Sequence, residues 1–144
     1  MIRTVLAVLL SVALLAAVVP GIDEGRRART ATHLDDATDR IERAAHSLRA
    51  HEDPTRPPVT GARRIVRVRV PTASWSAAGA TLRIEGDGDR IGYRLEGRPP
   101  HWTTLRSLDL RTPAGPVVLE RPGEHRLVVS LVRDRGVGIV IARD

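Results

Sequence analysis

A chain of 144 residues has room for one modest folded domain once its apolar N-terminus is set aside, so a pair of independent catalytic domains is not expected. The absence of Cys removes disulfide scaffolds, zinc ribbons and thiol nucleophiles. The net charge of +6 would suit a phosphate-bearing partner, yet all 23 basic residues are Arg, and Lys, Asn, Gln and Phe are missing, a bias of the kind that GC-rich codon usage produces. Trp75, Tyr93 and Trp102 are the only aromatic residues, too few for a nucleic-acid stacking platform, and nucleic acid is not an expected partner.

Thr4 to Ile22 carries no charge, and only Arg3 and the amino terminus precede it. As a helix this run would be roughly 28 Å long, close to the hydrocarbon thickness of a bilayer. Residues 1–22 are therefore expected to be a transmembrane anchor in contact with lipid. A removed secretory signal is the competing reading, but no A-x-A site follows the run and Pro20 would sit directly after a cut at Val19. Arg26, Arg27 and Arg29 behind the span favour a cytoplasmic domain by a literal positive-inside count, whereas the signal-like N-terminus favours the opposite. The expected arrangement is a single pass with the C-terminal domain outside the cytoplasm.

Pro20-Gly21 is a place for a kink or break, and Thr32 with Asp35 offers a capping box for a second helix start. Residues 23–52 read as an amphipathic stalk helix. Leu34, Ile41 and Leu48 recur every seven residues with Ala37 and Ala44 between them, forming a narrow apolar seam. Two heptads are too few to establish a coiled coil, so the seam is expected to pack on the protein's own sheet, with a partner helix as the alternative. Asp36 with Arg40 and Asp39 with Arg43 are spaced as i,i+4 ion pairs. His46 and His51 stand five apart, off a common helix face, and His51-Glu52-Asp53-Pro54 lacks the second His of a zinc motif, so no metal is expected.

Residues 53–61, with three prolines, read as a stiff linker. Residues 62–144 then read as an antiparallel β-domain of about six or seven strands. Arg64 to Val70 alternates Val66, Val68 and Val70 with Arg67 and Arg69. A hairpin around Asp87-Gly88, of type I′, sets Glu85 against Arg90, Ile84 against Ile91, Leu82 against Tyr93 and Ala80 against Leu95. His101 to Arg111 reads as one strand and Val117 to Leu119 as another. A last hairpin across Asp134-Arg135-Gly136 sets Leu131 against Ile139 and Val129 against Ile141; with both faces apolar, it is expected to be covered on both sides. The fold class is α+β: an N-terminal transmembrane helix continuing into a stalk, and a small antiparallel sheet domain packed on that stalk.

Residues 1–60 carry eight Arg and eight acids and residues 61–144 carry 15 Arg and nine, so the β-domain holds the whole excess of charge. Arg67 and Arg69 could line a surface for an acidic partner or lipid headgroups, or simply be solvated. Nothing marks a nucleophile with its base, a phosphate-binding glycine loop or a segregated carboxylate pair. Ser76 and His101, in loops near Trp75 and Trp102, are the weak hydrolase candidates. No catalytic residue, cofactor or small-molecule substrate is assigned, and the expectation is a protein that is not an enzyme.

The layout of Met1-Ile2-Arg3 leading into the apolar run, a helix over Asp36 to Ala50, and Gly61-Ala62-Arg63-Arg64 opening the first strand resembles type IV pilin-like proteins. More closely, it resembles a haloarchaeal family of uncharacterised membrane-anchored proteins with that layout. The resemblance implies an accessory or structural component of an envelope, pilus or secretion assembly, with other membrane or secretion proteins as partners. The early Glu that pilins use in assembly has no counterpart within the run, and processing of the pilin kind is not expected. The other reading is a signal-anchored β binding module that recognises an acidic ligand or anionic headgroups through surface arginines.

Overall fold

The computed structural model of the chain describes residues 2–144. Its first element, α1, is a single helix from Ile2 to His51, about 75 Å long at the usual rise per residue. Neither the expected break at Pro20-Gly21 nor the second start at Thr32 occurs. Proline removes one amide donor and crowds the preceding turn, a local cost of about 3 kcal/mol. The Ala- and Leu-rich stretch before it and the stalk after it are both good helix formers, and cooperative propagation carries the helix across. The Thr32 hydroxyl donates to the Ala28 carbonyl at 3.1 Å, an interior back-bond and not a cap.

Two more expectations on α1 fail. Among the described residues no ion pair joins Asp36 to Arg40 or Asp39 to Arg43. The helix instead closes Asp23–Arg26 at 3.0 Å, Glu24–Arg27 at 3.8 Å and Glu42–His46 at 3.6 Å.

Eight strands follow: β1 (Arg63–Val70), β2 (Ala80–Glu85), β3 (Arg90–Leu95), β4 (His101–Thr104), β5 (Leu110–Arg111), β6 (Val117–Leu119), β7 (Gly123–Arg133) and β8 (Val137–Arg143). They form two four-stranded sheets, ordered β1-β7-β8-β5 and β4-β3-β2-β6. All pairings are antiparallel except β5 with β8. The architecture is α+β, with the C-terminal half of α1 packed on β1 and β7 of the first sheet and β3 of the second. The residues 53–61 are tied to the first sheet: Thr55 bridges to Val132, and the Arg133 amide donates to the Thr55 carbonyl at 2.9 Å.

Both hairpin registers match the alternation in the sequence: Glu85 pairs with Arg90 and Leu82 with Tyr93, Leu131 with Ile139 and Val129 with Ile141. The first turn differs in type. Positive φ falls on Gly88 and Asp89 (103° and 49°), one place later than a type I′ turn requires. The shift has a tertiary cause, since Asp89 Oδ1 accepts the Leu110 amide at 2.6 Å and its carbonyl accepts the Leu105 amide at 2.7 Å.

His101 to Arg111 is not one strand. The chain leaves the second sheet after Thr104 and enters the first at Leu110, burying Leu105 and Leu108 on the way. That crossing raises the count to eight strands and explains the poor alternation there. The final hairpin is also not covered on both sides. Leu127, Val129, Leu131, Ile139 and Ile141 are buried in the core, while Val128, Val132 and Val140 on the other face are only half-buried.

Candidate functional site

The part of the molecule that its own packing does not explain is the first half of α1. Every large apolar side chain from Ile2 to Ile22 is more than half exposed, between 52 and 86 %. Residues apolar all round a helix have no solvated face to offer, which distinguishes this half from the stalk. Within it the Ser11 hydroxyl donates to the Ala7 carbonyl at 2.8 Å, so that group needs no water. The helix is long and apolar enough here to cross a membrane.

The seam lies on the other half. Leu34, Ala37, Ile41 and Leu48 are in the core, at 0–1 % exposure, and Ala44 packs partly buried at its edge. Three further residues face the domain that the heptad spacing did not mark: Ala45, Thr38 and Thr30. An α-helix turns every 3.6 residues, so the contact stripe drifts across a strict seven-residue repeat and takes in Ala45 beside Ala44. The Thr38 hydroxyl donates to the Leu34 carbonyl at 3.0 Å. Thr30 accepts the Ala78 amide at 3.0 Å and lies 3.4 Å from the Ala78 carbonyl.

Arg67 and Arg69 stand on the outer face of the first sheet. In register, Arg67 faces Arg126 and Arg69 faces Glu124 across β1 and β7, and Arg63 follows on the same face. Arg67 reaches Glu124 at 3.7 Å, and Arg126 reaches Asp144 at 3.1 Å. Ile65, half exposed, lies between the arginines and pairs with Val128. The face therefore carries arginines on both sides of an apolar middle.

Elsewhere several charged groups pair with one another. Glu85 is gripped by Arg90 and Arg83, with contacts of 2.5 and 2.6 Å, and these hydrogen bonds hold its carboxyl below the usual range. Asp109 bonds Arg111 at 2.6 Å and holds that guanidinium's pKa up; Arg111 also donates to the Asp134 carbonyl at 2.5 Å. Burial, aided by the Asp35 carboxylate, pushes the Tyr93 phenol up to about 12.

The remaining candidates are spread apart. His46 lies by Glu42 and Ser107, whereas His51 turns back to the Ser47 carbonyl. Among the described residues no three metal-ligating side chains converge. The Ser74 hydroxyl accepts the Ser76 and Ala77 amides, and His101 lies against Tyr93 with ring centroids 5.4 Å apart. A groove on the second sheet, lined by Arg83, Arg94, Trp102 and Glu120, encloses about 180 Å³, below the usual size of a small-molecule pocket. Its floor is Gly92, across which the Trp102 ring lies, with Arg90 stacked 4.6 Å from that ring.

A domain of unknown function, DUF7311, matches residues 1–144. The chain belongs to that family. The match takes in the apolar half of α1 together with the β-domain, so the family is defined over the anchor-like segment and the folded part as one unit. Neither a curated protein nor a solved structure matches the chain.

Proposed function

We propose that this DUF7311 protein is a non-enzymatic, single-pass membrane protein, pilin-like in layout, that serves as an accessory or structural component of an envelope, pilus or secretion assembly. The observation that carries the reading is the division of α1. One continuous helix is naked and apolar for its first half and forms part of the β-domain core in its second. A cleavable signal has no need of a rigid continuation into the core, whereas an anchor that must hold a domain at a fixed attitude does. The β-domain stands outside the cytoplasm, and the apolar half contacts lipid and neighbouring membrane helices.

Photo-crosslinking from position 9 or 14 of the full chain in native membranes tests the assembly role. The expected products are adducts with integral components of a secretion or pilus machine; adducts with lipid alone would contradict it. The arrangement of Arg63, Arg67, Arg69 and Arg126 on one sheet face supports a second reading, recognition of an acidic ligand. On that reading, Arg67→Ala with Arg69→Ala abolishes salt-sensitive binding to an anionic polymer and leaves the crosslinks of the helix unchanged.

A further inference from the structure

Trp75 is 82 % exposed, the most exposed aromatic side chain in the molecule among the described residues. The loop that carries it, between β1 and β2, is nevertheless fastened on both sides of it. Before it, the Arg26 guanidinium donates to the Ser74 carbonyl at 2.8 Å; after it, Thr30 on α1 holds Ala78 by the pair of contacts given above. The loop closes on itself through the Ser74 amide, which donates to the Ala77 carbonyl at 2.9 Å. An indole held out in water by a fixed loop forgoes the burial that a large aromatic surface would gain. Something other than this chain's own core is expected to cover it.

Its position along α1 identifies what. Trp75 shares a recess with Val18, Ile22, Arg26 and Arg29. This is the level at which the apolar run ends and the first arginines of the stalk begin. Arg98, from the β3–β4 connection, reaches Glu24 at 2.7 Å, so a second loop of the domain comes down to the same level. The charged groups there are Arg26, Arg27, Arg29 and Arg98 against Asp23 and Glu24, with Glu96 close behind at Gly79. Tryptophan beside arginine at the end of a span is the composition of a membrane–water interface, where the ring lies among glycerol and carbonyl groups and guanidinium groups meet phosphates.

We infer that Trp75 inserts into the interfacial zone of the bilayer that α1 crosses, making the β1–β2 loop a second membrane contact that fixes how the β-domain stands on the surface. The inference rests on the reading of α1 as a span. Its ligand is the lipid interface itself, and the clamp from Arg26 and Thr30 presents the indole to it without a rearrangement.

Tryptophan fluorescence of the full chain in phosphatidylcholine vesicles tests it, using lipids brominated either near the headgroup or deep in the acyl chain. Trp102→Phe leaves Trp75 as the only indole; if that variant does not fold, the difference between the unaltered chain and Trp75→Phe isolates the same signal. The expected result is blue-shifted emission that loses more intensity with the shallow bromines than with the deep ones. Emission at the position of a water-exposed indole, unquenched by either lipid, overturns the inference. Leu10→Trp in a chain with Trp75→Phe and Trp102→Phe separates the span from the loop contact. Quenching of that residue by the deep bromines with Trp75 unquenched rejects the loop contact alone, whereas no quenching at position 10 rejects the span and the loop contact with it.

Discussion

At the scale of single residues, close approach and charge pairing decide the outcome of substitution. A Cβ on Gly92 would stand 2.4 Å from the Trp102 ring and 2.6 Å from the His101 carbonyl. Gly92→Ala therefore forces the ring off the sheet and is expected to lower stability by about 1–3 kcal/mol in denaturant unfolding of the detergent-solubilised chain. Tyr93 and Glu85 give the pH dependence its two ends. An unfolded tyrosine ionises near 10.0 and Tyr93 near 12 in the fold, so its contribution is complete below the first value and is lost as pH climbs through the second. Unfolding midpoints measured across that range should fall, and Tyr93→Phe should remove that part of the fall. Glu85 has the opposite sign: its carboxyl is held below the ordinary 4.5, so its contribution is present above that pH and fades on acidification. Glu85→Gln should cost stability at neutral pH and little in acid. The turn at Asp89 and the buried Thr30 were not legible in the sequence. Each depends on a backbone group of a distant segment, Leu110 in one case and Ala78 in the other, and local spacing carries no trace of such a partner.

At the scale of elements, the two halves of α1 respond differently to truncation. Ile41 is wholly buried against the sheet, and Ile41→Ala is expected to cost about 2–5 kcal/mol. Leu10, exposed on the other half, makes no contribution to the core, and Leu10→Ala should leave the unfolding midpoint of the β-domain unchanged. Strands whose alternation was strict were legible residue by residue, as with Val66, Val68 and Val70 or the two hairpin registers. Strands that owe their place to another sheet were not. Leu105, Leu108 and Leu110 look like one apolar stretch, and only the assembled pair of sheets shows that the first two fill the gap between layers while Leu110 joins β8. The unbroken helix at Pro20 has a related cause, because a single proline is weighed against fifty residues of propagation and not against its immediate neighbours.

At the scale of the whole molecule, the architecture is a rod with a domain built around its far half. The sequence made the rod's apolar part legible because nineteen uncharged residues in succession have few alternative uses. It gave no view of the outer face of the first sheet, where Ile65, Val128 and the arginines meet only through pairing across β1 and β7. The proposed topology has α1 crossing a membrane once and the β-domain held outside the cytoplasm. Protease added to intact cells that carry a tag after Asp144 tests it directly. The expected result is that the tag is cut while a cytoplasmic marker survives and the N-terminal part stays with the membrane fraction. A tag that resists until the cells are lysed would contradict it.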